Sequence, residues 1–409
     1  MICTTLQSLR LASLGLLISL AIPAQAQEAA PATQTLVQQG QYLARAGDCT
    51  SCHTAQNGQP YAGGFRLDTP FGYLLAPNIT PDKQTGIGNW SADDFYRALH
   101  DGVNKKGQYL FPAMPYTSYT KVTRADRDAL FAYMMRLPPV CNAVEVNHLQ
   151  FPFNLRLSML GWNELYFDKG TYQPDPKQTA AWNRGAYLVE GLGHCSECHS
   201  PRNLLGGIEQ KKAFTGADID GWFALNLTSN LKTGLGSWSV DDIATYLKTG
   251  ADKSKSTSLG PMSEVVHNSL SFMTDDDLQA MAEYLKALPA SSAMSPDHQP
   301  DKTLAAGATT YVDNCSACHQ AQGSGIPGVF PALTGNGVVL AADANDILKV
   351  VLFGIPVQDG YIAMPGFGDK LSDQQIADLA NYLRSSWGNG AAVNATAAQV
   401  AALRKLPVE

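Results

Sequence analysis

The string Cys-x-x-Cys-His occurs three times in this chain, and the spacing of its residues predicts a specific chemistry. The copies are Cys49, Cys52 and His53; Cys195, Cys198 and His199; and Cys315, Cys318 and His319. Two cysteines three positions apart share one face of a helix, so their sulfurs can form thioethers with the two vinyl groups of one porphyrin. The histidine that follows can reach the iron from the proximal side. The pattern predicts three covalently attached haem c groups.

A methionine beside a proline follows each copy: Met114 in PAMPY, Met262 in LGPMS and Met364 in AMPGF. A thioether sulfur in the sixth position of the iron gives a low-spin centre with a raised potential, suited to electron transfer. Flanking prolines stiffen the loop that must hold this sulfur. We predict these three methionines as sixth ligands. Met273 competes with Met262 for the second haem, but only Met262 has both the proline and the repeat register.

The motif taken alone is compatible with other chemistry. A single Cys-x-x-Cys-His could be half of a zinc site or a redox dithiol. Three copies, each with a later methionine in register, favour haem attachment. A proximal histidine also needs a hydrogen-bond acceptor, usually a backbone carbonyl, for its other ring nitrogen. The sequence indicates Pro331 for the third copy and no single residue for the first two. The role of Cys141, which lies outside the motifs, is left open.

The elements around these motifs repeat as well. A Gly and a Tyr precede each motif in a short helical stretch, as in Gly40 and Tyr42, and an amphipathic helix with acidic residues in its first turn closes each unit. Between the first and second copies, Asn-Ile-Thr at 78–80 recurs as Asn-Leu-Thr 148 residues later, and TGIGNWS recurs as TGLGSWS at the same shift. The third copy lacks this insert.

The repeats predict three related domains and a mainly α fold. We refer to them as unit one (34–140), unit two (178–289) and unit three (303–388). Linkers at 141–177 and 290–302 join them, and a tail occupies 389–409. A short helix at 397–404, capped by Thr396, is expected in that tail.

The first 26 residues resemble a targeting segment. An apolar run of twelve residues ends at Pro23, and Ala24-Gln25-Ala26 matches a signal-peptidase site, so we predict cleavage after Ala26 and export. Twelve apolar residues are too few to span a bilayer, which takes about 20. The whole chain is 45% hydrophobic and 16% charged, which excludes a disordered chain and a multi-span membrane protein. A net charge of −7 argues against nucleic acid as a partner.

From about residue 35 to residue 405 the chain resembles the triheme cytochrome c subunits of bacterial periplasmic dehydrogenases. The resemblance lies in the three haem motifs, in APNITPDKQTGIGNWSADDFYRAL and PAMPY of unit one, and in FPFNLRLSMLGWNELYF of the first linker. It implies three tandem class I cytochrome c domains and a catalytic partner subunit of flavin, pyrroloquinoline quinone or molybdenum type. It also implies transfer of electrons to ubiquinone or to a downstream cytochrome or oxidase.

Two other functions remain open at this stage. A haem peroxidase or nitrite-type reductase would need one iron without a methionine, and unit two is the candidate because its Met loop departs most from the others. A free-standing carrier would have no fixed partner. We expect an electron-transfer subunit in the periplasm without substrate chemistry of its own. The C-terminal tail is short and only weakly apolar, so peripheral membrane attachment is left open.

Overall fold

The structure, a computed structural model, describes residues 31–252, 255–292, 304–356 and 362–406. The predicted targeting segment 1–26 and most of the second linker lie outside these residues. Within the described ranges, no helix is long and apolar enough to cross a bilayer. Most regular structure is helical, as expected, and the strands are two to four residues long.

The helices follow the repeat. Unit one contains α1 (Pro31–Ala46), α2 (Cys49–Cys52), α3 (Ala92–Asp101), α4 (Tyr116–Tyr119) and α5 (Arg124–Met134). The first linker contains α6 (Ser158–Tyr166), and unit two contains α7 (Ala180–Tyr187), α8 (Ser196–His199), α9 (Val240–Thr249), α10 (Pro261–Asn268) and α11 (Asp275–Ala287). Unit three and the tail contain α12 (Ala305–Asn314), α13 (Ser316–His319), α14 (Gly337–Leu340), α15 (Asn345–Phe353), α16 (Asp373–Ser385) and α17 (Ala397–Leu403).

In every unit the helix before the haem motif packs against the closing helix: α1 on α5, α7 on α11 and α12 on α16. A glycine lies at each of these contacts, at Gly40, Gly185 and Gly307. A Cβ at Gly40 would lie only 1.9 Å from the carbonyl oxygen of Ala129, and one at Gly185 would lie 1.9 Å from that of Ala280. The repeated glycine is therefore explained, because only a residue without a side chain lets the two backbones approach so closely.

Short hairpins follow the haem motifs of units one and two. Strands β1 (Arg66–Thr69) and β2 (Gly72–Leu75) pair antiparallel, and β3 (His148–Leu149) from the first linker adds to β2. In unit two, β4 (Ala217–Ile219) pairs with β5 (Trp222–Ala224), and in unit three β6 (Gly354–Ile355) pairs with β7 (Met364–Pro365). The first linker thus contributes a strand and a helix.

Units one and two are joined reciprocally. Tyr42 on α1 donates a hydrogen bond to Asp277 at the start of α11, and Tyr187 on α7 donates one to Asp126 at the start of α5. Each tyrosine thus binds the first turn of the other unit's closing helix. One buried apolar cluster includes side chains from both units, whereas unit three and the tail form a cluster of their own.

The tail packs on unit three. Helix α17 begins after Thr396, whose hydroxyl accepts a hydrogen bond from the backbone N–H of Gln399. The Gln399 side chain accepts one in turn from the Thr396 backbone, which forms a capping box. Val400 is fully buried against the unit-three core. The predicted helix and its cap are confirmed.

Candidate haem-binding sites

The first motif forms a single helical turn, α2, whose geometry brings its reactive groups to one side. The backbone N–H of His53 donates to the carbonyl of Cys49 at 3.1 Å, so the turn continues through the histidine. The corresponding bond joins His199 to Cys195 at 3.0 Å and His319 to Cys315 at 2.9 Å. All three motifs therefore have the same local geometry, and the two cysteines of each lie one turn apart.

Each motif histidine has its Nδ1 atom fixed by a backbone carbonyl. The distances are 2.8 Å from His53 to Pro77, 2.7 Å from His199 to Leu225 and 3.0 Å from His319 to Pro331. A carbonyl can only accept, so Nδ1 carries the proton and Nε2 keeps a free lone pair. This is the tautomer that a proximal metal ligand needs.

Of these three acceptors, the sequence indicated only Pro331, and the structure confirms it. Pro77 and Leu225 were missed, although a signal existed, because each directly precedes one of the repeated Asn-x-Thr strings. Leu225 follows Pro77 by 148 residues, the same shift as the strings themselves. The identity of the acceptor residue differs because only its backbone oxygen is used.

The Asn-x-Thr string holds the acceptor carbonyl in place. The side-chain oxygen of Asn78, which is 3% exposed, accepts from both the backbone N–H and the hydroxyl of Thr80, at 2.9 and 2.8 Å. Its amide nitrogen donates to the carbonyl of Val140 at 2.7 Å. Asn226 and Thr228 make the same pair of bonds in unit two, at 2.9 and 2.7 Å. A buried amide with both ends satisfied fixes the loop on which the histidine depends.

The pKa shifts of the motif histidines and cysteines favour their neutral forms. Burial lowers the pKa of His53, His199 and His319 below the ordinary value of an imidazole, although the carbonyl bond opposes the shift. Burial raises the pKa of the Cys49 and Cys195 thiols to about 12. A redox dithiol has an attacking thiol of lowered pKa, so these sites do not resemble one. Among the described residues, no cluster of three or more His, Cys, Asp or Glu side chains could hold a metal ion.

The three predicted methionines are half-buried and occupy different kinds of element. Met114 lies in the turn before α4, Met262 is the second residue of α10, and Met364 is in β7 opposite Ile355. Met114 and Met262 border the apolar cluster of units one and two. The competitor Met273 lies within that cluster, is 2% exposed and immediately precedes the α11 cap Thr274.

Comparison with known proteins identifies the family of this chain. The model of the cytochrome c family matches residues 37–138 and 304–387. The cytochrome c subunit of gluconate 2-dehydrogenase from Pantoea cypripedii is 41% identical over 400 residues, which cover 91% of this chain and 90% of that protein. The chain belongs to the cytochrome c family.

Two further relatives extend this result. The cytochrome c subunit of a quinone alcohol dehydrogenase from Gluconobacter oxydans (strain 621H) is 38% identical, with 96% of this chain and 86% of that protein covered. The fructose dehydrogenase cytochrome subunit of Gluconobacter japonicus is 37% identical, with 91% and 84% covered. Like other cytochromes c, the chain is an electron-transfer protein that holds haem c covalently. The paired thiols of each motif and the imidazole with a free Nε2 beside them fit this group.

The haem motifs of units one and two also belong to the interface between the units, which sequence reasoning did not predict. Glu197, between the two cysteines of the second motif, accepts hydrogen bonds from Thr117 and Ser118 of α4, at 2.8 and 3.1 Å. In the reciprocal contact, Asn268 at the end of α10 donates to Ser51 of the first motif at 3.0 Å. The helix that follows Met114, α4, and the helix that contains Met262, α10, therefore each contact the haem motif of the other unit.

Proposed function

We propose that this cytochrome c is the electron-transfer subunit of a dehydrogenase complex and carries three haem c groups. The observation that carries the proposal is the threefold Nδ1-to-carbonyl geometry of the motif histidines. This contact leaves the Nε2 lone pair of each imidazole free to bind iron in all three units. The proposal assigns one class I cytochrome c domain to each of units one (34–140), two (178–289) and three (303–388).

In this proposal two cysteines, one histidine and one methionine would hold each haem. The cysteines that would form thioethers are Cys49 and Cys52, Cys195 and Cys198, and Cys315 and Cys318. The residues that would bind the iron are His53 and Met114, His199 and Met262, and His319 and Met364. Haem c, when bound, supplies an iron that gains and loses one electron. The chain fixes the ring of each histidine through its Nδ1 atom, and the methionine would supply a second ligand to the iron.

Unit two would be the middle of the electron path. It contacts unit one through the two motifs themselves, and it contacts unit three through the β4–β5 hairpin and α15. The hydrogen bonds that join each of these two motifs to the other unit support direct electron exchange between the first two haems.

The surface of the first linker supports a fixed partner. Phe151 and Leu157 are 78% and 76% exposed, and other large apolar side chains of the segment, Leu155, Leu160 and Leu165, are exposed as well. Grouped exposed apolar side chains commonly mark interaction sites. We assign this linker surface to the dehydrogenase catalytic subunit, of flavin, pyrroloquinoline quinone or molybdenum type. Ubiquinone or a downstream cytochrome would take the electrons, on the periplasmic side of the membrane.

The experiment combines the isolated cytochrome, its catalytic partner and substrate. Alone, the cytochrome should oxidise no alcohol, sugar or aldehyde. With the partner and substrate, its haems should be reduced, and a ubiquinone analogue should reoxidise them. In a variant with Cys195 and Cys198 both changed to Ser, the middle haem is missing and only the haem at the donor end should be reduced quickly. Substrate turnover or rapid peroxide reduction by the cytochrome alone would contradict the proposal.

A further inference from the structure

The β4–β5 hairpin of unit two holds the second proximal histidine from both ends. At its start, the backbone N–H of Gly216 donates to the carbonyl of His199 at 2.9 Å. Directly after it, the carbonyl of Leu225 lies 2.7 Å from Nδ1 of the same histidine. A shift of the hairpin must therefore move the imidazole ring.

Unit three covers this hairpin with two charged side chains. The Asp346 carboxylate accepts a hydrogen bond from the backbone N–H of Phe223 at 2.9 Å. The Lys349 ammonium lies 4.2 Å from the centre of the Trp222 indole, within cation–π distance. Asp346 is 3% exposed and Lys349 is 7% exposed. Charged side chains are seldom buried this completely unless partners hold them, so the contact is a specific one.

The same tryptophan also packs on the residue that precedes α10. A Cβ at Gly260 would lie 2.5 Å from Cε2 of Trp222, so the indole packs directly on this glycine backbone, whose φ is 49°. Gly260 is the residue before α10, and Met262 follows two positions later. Trp222 therefore touches both a unit-three lysine and the start of the helix that carries the proposed distal ligand.

Unit one has the corresponding hairpin, but a different segment of the chain contacts it. There Pro77 supplies the carbonyl for His53, and the second strand of the hairpin, Gly72–Leu75, pairs with His148–Leu149 of the linker. That contact consists of antiparallel pairing between two strands. In unit two, the corresponding strand is bound by buried charges from another unit.

We propose that Lys349 and Asp346 are positioning residues of the second haem site, through which unit three sets the reduction potential of the middle haem. This rests on the proposed function. The orientation of the axial ligands and the charge near them are two means by which a protein sets a haem potential. A nearby cation disfavours the more positive, oxidised iron. Loss of the Lys349 charge should therefore lower the potential of the second haem.

The test is a spectroscopic redox titration of the intact three-haem protein. Lys349→Gln should lower the potential of one haem, identified as the second by its loss in the Cys195→Ser, Cys198→Ser double variant, and should leave the other two unchanged. Lys349→Arg, which keeps the cation, should restore the original value. Asp346→Asn should also shift only this haem. Lys106→Gln, the same charge change at an exposed lysine of unit one, should shift none.

The outcomes separate the two proposals. Three haems with unchanged potentials in Lys349→Gln and Asp346→Asn would overturn the positioning role and leave the proposed function intact. A shift of the third haem alone would also overturn it, because the residues would then act only within unit three. Absence of haem on Cys195 and Cys198 in the parent protein would instead refute the proposed function. Lower thermal stability of Lys349→Gln without any change in potential would show a merely structural contact.

Discussion

The hydroxyl of Tyr42 donates a hydrogen bond to the carboxylate of Asp277, 2.5 Å away and 235 residues later in the chain. Arg184 binds the same carboxylate through two of its nitrogens, at 2.7 and 2.8 Å. Asp277 is therefore shared by a helix of each of the first two units. Because it lies in the first turn of α11, its charge also interacts favourably with the helix dipole.

This contact predicts a pH dependence of stability. Burial alone would raise the pKa of Asp277, but the hydrogen bonds from Arg184 and Tyr42 outweigh it and hold the pKa below its ordinary value of 3.8. The stabilisation is therefore complete above the unfolded-state pKa, about 3.9, and is lost as the pH falls through the lower folded-state pKa. Asp277→Asn should lower the free energy of unfolding by about 1–2 kcal/mol at pH 7, and the difference should shrink below about pH 4.

Urea unfolding of both proteins between pH 7 and pH 3 measures this difference. Asp68→Asn is the matched control, because Asp68 pairs with Arg66 on the exposed surface and should leave stability unchanged. Parallel stability curves for the parent and Asp277→Asn down to pH 3 would refute the role assigned to the carboxylate.

The helix-contact glycines make a prediction about folding. Gly40→Ala places a methyl group against the Ala129 carbonyl, so α1 and α5 must separate, at a cost of at least about 1–3 kcal/mol. Gly161→Ala in α6 is the control, since a Cβ there meets no atom within 4 Å. It should stabilise the protein by about 0.5–1 kcal/mol through helix propensity. Denaturation followed by circular dichroism compares the two, and equal effects would contradict the close packing.

The methionine assignments can be tested one at a time. Replacing Met114, Met262 or Met364 by Ala should leave the haem attached through its cysteines but lower its potential and open its iron to carbon monoxide. Met273→Ala should create a core cavity, with lower stability and an unchanged count of methionine-ligated haems. If Met273→Ala removed a methionine signature and Met262→Ala did not, the assignment in unit two would be wrong.

The exposed linker predicts where the catalytic subunit binds. Leu157→Glu should weaken binding to the dehydrogenase partner at least tenfold, about 1.4 kcal/mol, because it places a charge in an apolar contact. Leu231→Glu is the matched control, since both leucines are 76% exposed and Leu231 lies in unit two outside the linker. Binding measured by surface plasmon resonance distinguishes them. Equal loss in the two variants would contradict this assignment of the surface.

Much of the helical framework could be predicted because its signals are local. Acidic first turns and the apolar period indicated α5, α11 and α16, and Thr396 indicated the cap of α17. Pro331 was identifiable because it lies in the tight loop just after its motif. Contacts that join distant segments carry no such signal. Nothing in the sequence around Glu197 indicates a partner about 80 residues earlier in the chain. Only the fold brings it to Thr117 and Ser118.

The strand pairing of the linker was missed for a related reason. His148–Leu149 is only two residues long and has no alternating pattern of its own. It becomes a strand because it meets the open edge of β2. The repeated Asn-x-Thr strings were recognised, but their purpose depends on hydrogen bonds to the backbone at Val140 and beyond, some 60 residues away.

The number of haems per chain tests the central claim most directly. The matured protein should be measured by intact mass and by pyridine haemochrome absorbance per chain. We expect a mass increase of three haems and an absorbance equivalent to three, with one haem lost when either Cys195 and Cys198 or Cys315 and Cys318 are changed to Ser. One or two haems in the parent protein, under normal cytochrome maturation, would contradict it.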